Sequence, residues 1–392
     1  MIKSNNKIFN LGNIFLLVWF LYHLQNYLLP LGGLSSLLFM FQIVVSVYCL
    51  FYANIFYNTP QTIKAINFLV IIYFIYGALR VMQGEQLIVE ESGDIVPPMD
   101  FTRHYINSLL PIYVGFVLAK SGQISLSHMK FWCFAFLFFS TIEYTGVSRT
   151  LIEENTVQEE FTNNIGYQFL AIIPVIFLAY KNSIVRYSLL FIIIIFVISA
   201  MKRGAILIAA LSLLYIIYIE LTKSYRSKVF LKIALVALVS FGIYKYAQYM
   251  LNTSELFNLR IAQTIEGDSS ARDVLKDDII HYLKYDSSVF ELLFGKGADG
   301  TLTVTQNFAH NDWLEIITNM GLLGIIVFIY FWISFIKDIF RSRNQEIKYV
   351  LSLIFIFCLS RTLFSMSITD MPIYTSYTLG FCLAKYQNNE QN

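Results

Sequence analysis

Three polar stretches in an otherwise apolar chain carry residue types that can do chemistry. His310-Asn311-Asp312-Trp313-Leu314-Glu315 places an imidazole, an amide and two carboxylates directly ahead of a hydrophobic run. An imidazole with a pKa near 6.5 is mostly neutral at pH 7, as a general base must be. Lys202-Arg203 makes up almost the whole connection between two other apolar runs, and Arg272 lies in the longest polar segment. Guanidinium groups suit phosphates because their planar fork donates two hydrogen bonds at once. Arg80, Arg103 and Arg260 stand at or beyond the ends of apolar runs. Arg361 stands inside one, where a charge is costly and marks a functional site by default. The chemistry within reach is anion binding by cations beside a proton acceptor, at a membrane–water boundary.

The elements that must position these residues are membrane helices. The 392 residues are 57% hydrophobic and only 14% charged, against about a quarter charged in soluble domains. Crossing a ~30 Å hydrocarbon layer takes about 20 apolar residues. Twelve runs qualify: 9–29, 34–57, 63–82, 105–119, 130–145, 165–180, 184–201, 204–221, 229–250, 313–336, 348–366 and 371–385. The expected fold is all-α: a polytopic bundle with helices one to nine over 1–250, a large helical outer loop over 251–312, and three more helices over 313–392. The four cysteines all fall inside apolar runs and read as buried side chains. The first run, which lacks a small-residue cleavage site, reads as a retained signal anchor.

Charge orients the bundle. With the N-terminus inside, the inner loops collect sixteen of the 28 Lys and Arg but only four of the 26 Asp and Glu. That excess on one side follows the positive-inside bias, and both termini are expected in the cytoplasm. Lys202-Arg203 then falls on the outer side, against the bias. Interfacial snorkelling explains such a pair as well as an anionic ligand does. Arg361 lies about 13 residues, or ~20 Å, from the inner end of its run; Asp370 is a candidate structural partner.

The outer loop reads as a small helical subdomain. Ser270 and Asp273 have capping-box spacing, and Val274, Leu275, Ile279, Tyr282 and Leu283 recur at helical intervals, predicting a helix of about 14 residues. Arg272 would sit in its first turn, where free N–H groups favour an anion. Gly295-Lys296-Gly297-Ala298-Asp299-Gly300 predicts a tight turn but lacks nucleotide-loop spacing. Asp312 and Glu315 have the spacing of a helix start; Glu315 either orients the His310 ring or caps the helix, and the cap is the expectation. No acidic metal motif and no nucleic-acid signature are present in the sequence. On these residues alone, a transporter and a lipid-linked enzyme fit equally well.

Three pieces resemble the O-antigen polymerase and O-antigen ligase superfamily of bacterial envelope glycosyltransferases. Ser199-Ala200-Met201-Lys202-Arg203-Gly204-Ala205 looks like its Arg-Gly hairpin. Arg260 through Ser269-Ser270-Ala271-Arg272 looks like the start of its periplasmic loop. Gly295-Lys296-Gly297, His310 to Glu315 and Gly321-Leu322-Leu323-Gly324 look like the loop's end and the next helix. Together they cover roughly 195–330, while the N-terminal half matches only in hydropathy. The family's aromatic residue just after the loop arginine is missing, since Val274 to Asp278 contains none.

The resemblance implies a metal-independent, cofactor-free glycosyltransferase in the bacterial cytoplasmic membrane. Its donor and acceptor would be polyprenyl-diphosphate-linked oligosaccharides, with membrane lipids around it and a chain-length regulator as a further partner. His310 would orient or deprotonate the acceptor hydroxyl, and Arg203 and Arg272 would neutralise the leaving diphosphate. Arg260, Lys202, Arg361, Arg80 and Asn311 would line the substrate site. The first expectation is a polymerase of O-antigen or capsule repeats. A ligase acting on lipid A core, and a flippase or ion-coupled transporter, are the alternatives.

Overall fold

A computed structural model describes residues 10–24, 33–84, 86–89, 93, 95–154, 164–223, 229–266, 272–366 and 371–388. They are helical almost throughout. The chain opens with α1 (Leu11–Leu24), α2 (Gly33–Phe56) and α3 (Gln61–Gln83), followed by a short antiparallel ribbon of β1 (Leu87–Ile88) and β2 (Ile95–Val96), with Leu87 opposite Val96. Next come α4 (Pro98–Ser108), α5 (Leu110–Lys120), α6 (Leu126–Glu154), α7 (Ile165–Ala179), α8 (Ser183–Ser199), α9 (Arg203–Lys223) and α10 (Val229–Thr253). The polar segment folds as α11 (Glu255–Glu266), α12 (Arg272–His281) with a π-helical turn over Tyr282–Asp286, α13 (Val289–Phe294) and α14 (Gly300–Thr305). The last three helices are α15 (Asp312–Arg341), α16 (Gln345–Phe364) and α17 (Ile373–Asn388).

Among the described residues, eleven of the twelve apolar runs fall mainly on a single helix each, and the run 105–119 is divided between α4 and α5. Four of the helices, α2, α3, α9 and α15, are long and apolar enough to cross a membrane by length and composition. Leu37, Val44, Phe51, Phe68, Ile71 and Phe74 on α2 and α3 are each more than half exposed. An apolar surface of that extent belongs in lipid rather than water. By contrast α7 is apolar on every face and buried along nearly its whole length, between α6, α8, α16 and α17. A helix without a polar face goes to the centre of the bundle.

The run 105–119 does not form one helix. Pro111 has no N–H to give to an upstream carbonyl, so α4 ends at Ser108 and α5 starts again at Leu110. At 11 residues, α5 is about 16 Å long, and it is buried against α17 and α2 instead of reaching lipid at both ends.

Contacts sort the helix ends into two sets. At one end Asn10 donates to the Gln123 carbonyl at 2.6 Å, Arg186 pairs with Glu220 at 3.4 Å, and Asp338 accepts from the Thr62 amide and hydroxyl at 2.7 Å. At the other, Arg80 pairs with Asp299 at 3.4 Å, Tyr374 donates to the Gln168 carbonyl at 2.5 Å, and Met371 donates to Ser108 at 3.1 Å. Arg186, Glu220 and Asp338 are among the residues that the charge count assigns to one side, and Arg80 and Asp299 among those it assigns to the other.

Candidate functional site

The long helix that carries His310 at its head is broken. Gly321 has φ 63° and ψ −156°, which no helical residue adopts. The carbonyls left over at the break are taken by the outer loop: Lys296 N–H donates to Thr318 at 2.8 Å and Gly297 N–H to Asn319 at 3.1 Å. Glycine is required on both sides of this junction. A methyl group on Gly321 would lie 2.6 Å from the Gly295 nitrogen, and one on Gly295, at φ 77°, would overlap the Asn319–Met320 backbone. The two glycine motifs are therefore halves of one main-chain lock. Residues 322–341 alone are ~30 Å of helix, so 312–320 form a separate segment beyond that length.

At the head of this segment Asn311, not Asp312, is the cap: its side chain accepts from the Trp313 and Leu314 amides at 2.9 and 3.2 Å. Glu315 does not take the capping role expected of it. It is 3% exposed and accepts from the Thr301 hydroxyl at 2.7 Å, the Ala309 amide at 2.5 Å and the Asn319 amide group at 3.3 Å. Burial explains the difference, because an enclosed carboxyl must collect all the donors around it. It thereby fixes the residue just before His310. His310 itself has φ 51°, in the left-handed region. Among the described residues only Met201, Asp299, His310 and Gln306 are non-glycine with positive φ. The first three stand at or beside predicted site residues, and such conformations collect at functional sites.

His310 lines a cavity of about 220 Å³. Tyr73, Phe101 and Phe308 supply aromatic walls, His104 a second imidazole, and Asp100, Asp299, Asp312 and Glu315 carboxyl groups. Asn164, just ahead of α7, and Ser365, just past α16, close it. Among the described residues no arginine lines this cavity. Arg80 lies behind it, 3% exposed, paired with Asp299. Burial pushes the Asp299 carboxyl up from its ordinary range, with the Arg80 charge pulling it back down. Arg103 turns to Asp100 at 3.9 Å and to the Tyr22 hydroxyl at 2.5 Å.

Other cations gather next to the cavity, at the head of α7. The turn Ala200–Lys202 between α8 and α9 packs on Gly166, where an added methyl would meet Ala200 Cβ at 3.2 Å and Ala205 Cβ at 3.3 Å. Lys202 and Arg203 therefore enter α9 beside Tyr167. The Arg361 guanidinium lies 4.8 Å from the centre of the Tyr167 ring, and Arg272 opens α12, which packs on α14 and α15. The Tyr167 hydroxyl is buried and has no hydrogen-bond partner among the described residues. Arg260 lies on α11, which packs on α10; its side chain is outside the description, as are Ser270 and Asp370.

The two groups adjoin. Asn311 donates to the Leu363 carbonyl at 3.4 Å, and the Trp313 indole donates to Thr362 at 3.1 Å. The residues beside His310 are thus tied to those beside Arg361. Among the described residues no group of three or more His, Cys, Asp or Glu is arranged to hold a metal ion. No family model matches the chain, and no curated protein matches it.

Sequence reasoning missed Tyr167 and most of the cavity wall. Tyr167 sits in an apolar run, where a tyrosine reads as core. The available hint was the polar cluster Asn163-Asn164-Ile165-Gly166-Tyr167-Gln168 at the head of that run.

Proposed function

We propose that this chain is an integral membrane glycosyltransferase that polymerises surface-polysaccharide repeats, by its resemblance to the O-antigen polymerases and ligases. In this reading it is a multi-pass protein of the bacterial cytoplasmic membrane, with both termini cytoplasmic. It transfers glycan from polyprenyl diphosphate to the terminal sugar of a second lipid-linked unit at the outer leaflet. The observation that carries the reading is the pairing of two unlike half-sites. An imidazole-bearing cavity adjoins a cluster of guanidinium groups around a buried phenol, joined through the Asn311–Leu363 and Trp313–Thr362 hydrogen bonds.

In the reaction the acceptor hydroxyl oxygen bonds to the anomeric carbon as the bond from that carbon to the diphosphate oxygen breaks. The hydroxyl proton passes to His310, and the electron pair leaves with the diphosphate. Charge builds on the leaving group, and Arg203, Arg272, Arg361 and Lys202 oppose it with cations already in place. The break in α15 is also a feature of transporters, whose sites use discontinuous helices. Those breaks lie near the bilayer midplane. Gly321 instead stands about 22 Å along the helix from residue 336, the inner end of its apolar run, past the middle of a ~30 Å layer.

The test is incubation of the purified protein with a synthetic polyprenyl-diphosphate oligosaccharide. Elongated product is expected from the native chain and none from His310→Asn. Absence of elongation by the native protein, or full elongation by the variant, sinks the reading.

A further inference from the structure

The cavity beside His310 has a composition that selects among sugars. Tyr73, Phe101 and Phe308 offer flat apolar surfaces of the kind that stack on the C–H face of a pyranose. Asp100 and Asp312 offer acceptors for sugar hydroxyls, and His104 and His310 complete the polar lining. Among the described residues no lysine or arginine lines the space. The two guanidinium groups nearest its wall are engaged, Arg80 with Asp299 and Arg103 with Asp100 and Tyr22. An anionic sugar entering here would set its carboxylate among carboxyl groups with no counter-charge, the costliest arrangement for a buried ion. A few ångströms of backbone away, the surroundings of Tyr167 have the opposite character, with the Arg361 guanidinium 4.8 Å from its ring centre and Lys202 packed beside Gly166.

We infer that the site is divided by charge: the cationic cluster takes the diphosphate of the donor, and the cavity takes the acceptor's terminal sugar only where that sugar lacks a carboxylate or other acidic group. The inference rests on the transferase reading for the word acceptor. The cavity's preference for neutral over acidic sugars can be measured without any transfer.

The probes are methyl glycosides in pairs that differ only at C6, glucoside with glucuronide and galactoside with galacturonide. Binding to the full chain in detergent is followed by saturation-transfer NMR. At least one neutral member is expected to bind roughly tenfold or more tightly than its uronate. Equal or tighter binding of the uronates, or binding of no neutral glycoside, overturns the inference. Asp100 is 31% exposed in its side chain, so the fold should tolerate Asp100→Lys, which is expected to narrow or reverse the preference. An unchanged preference in Asp100→Lys, and again in Asp100→Asn, counts against a selection made by these carboxyl groups. Elongation assays separate the two ideas. Selective binding without elongation of any donor keeps the charge selection and removes the transferase. Equal elongation onto neutral-ended and uronate-ended acceptors does the reverse.

Discussion

His310 holds a backbone conformation that costs most residues about 1–2 kcal/mol and asparagine least after glycine. His310→Ala therefore mixes two effects, loss of the imidazole and loss of backbone tolerance. His310→Asn keeps the second. Both are expected to abolish elongation, with His310→Asn melting within about 1 kcal/mol of the native chain. Tyr167→Phe separates binding from folding in another way. Its hydroxyl has no partner among the described residues, so its removal should cost little stability. A hydrogen bond to a charged ligand is worth about 1.5–3 kcal/mol, so KM for the lipid diphosphate should rise roughly tenfold. A large drop in melting temperature would show instead that the hydroxyl has a structural partner. Arg80→Met leaves Asp299 buried without its cation, at a cost of about 3–5 kcal/mol, and Asp299→Asn in the same chain should restore much of it. His310 and Arg203 could be singled out as candidates because polar residues stand out at the ends of apolar runs. Tyr167 could not, because the guanidinium over its ring, that of Arg361, is far away in sequence.

At the level of elements, the glycines of the loop and of α15 were visible as motifs, but their mutual contact was not. Spacing along a chain carries no information on which turn meets which helix. Gly321→Ala should destabilise the protein by about 3 kcal/mol or more, since it adds an overlap to a strained φ. Gly297→Ala is the control: its φ is 106° but nothing lies within 4 Å of the added methyl, so about 1–2 kcal/mol of backbone strain is all it should cost. Thermal melting of the two variants side by side checks this. The predicted loop helix is described from Arg272 to His281, while its proposed cap Ser270 and first residue Ala271 lie outside the described residues. The capping box observed in the loop is Ser288 with Glu291, spelled out by Ser288-Val289-Phe290-Glu291 and overlooked. Pro111 likewise announced the division of the run 105–119.

For the molecule as a whole, the helical class was legible because long apolar runs admit little else in lipid. The crossings were less so. A short run such as α5 is long enough for the core of the bundle but not for the membrane, and hydropathy does not distinguish the two. The proposed topology can be tested with single cysteines, because Cys49, Cys133, Cys358 and Cys382 are all buried. Tyr285, 73% exposed in the outer loop, should as Tyr285→Cys react with a membrane-impermeant maleimide on intact spheroplasts. Arg343→Cys, between α15 and α16, should react only after lysis. The reverse pattern would invert the bundle. The lock at Gly321 bears on how such a protein diverges. Lys296 and Gly297 grip Thr318 and Asn319 through peptide groups alone, so the placement of His310 ahead of α15 is indifferent to most side-chain replacements nearby. Under the proposed transferase reading, evolution can rewrite the wall around a new sugar and leave the imidazole standing where it was.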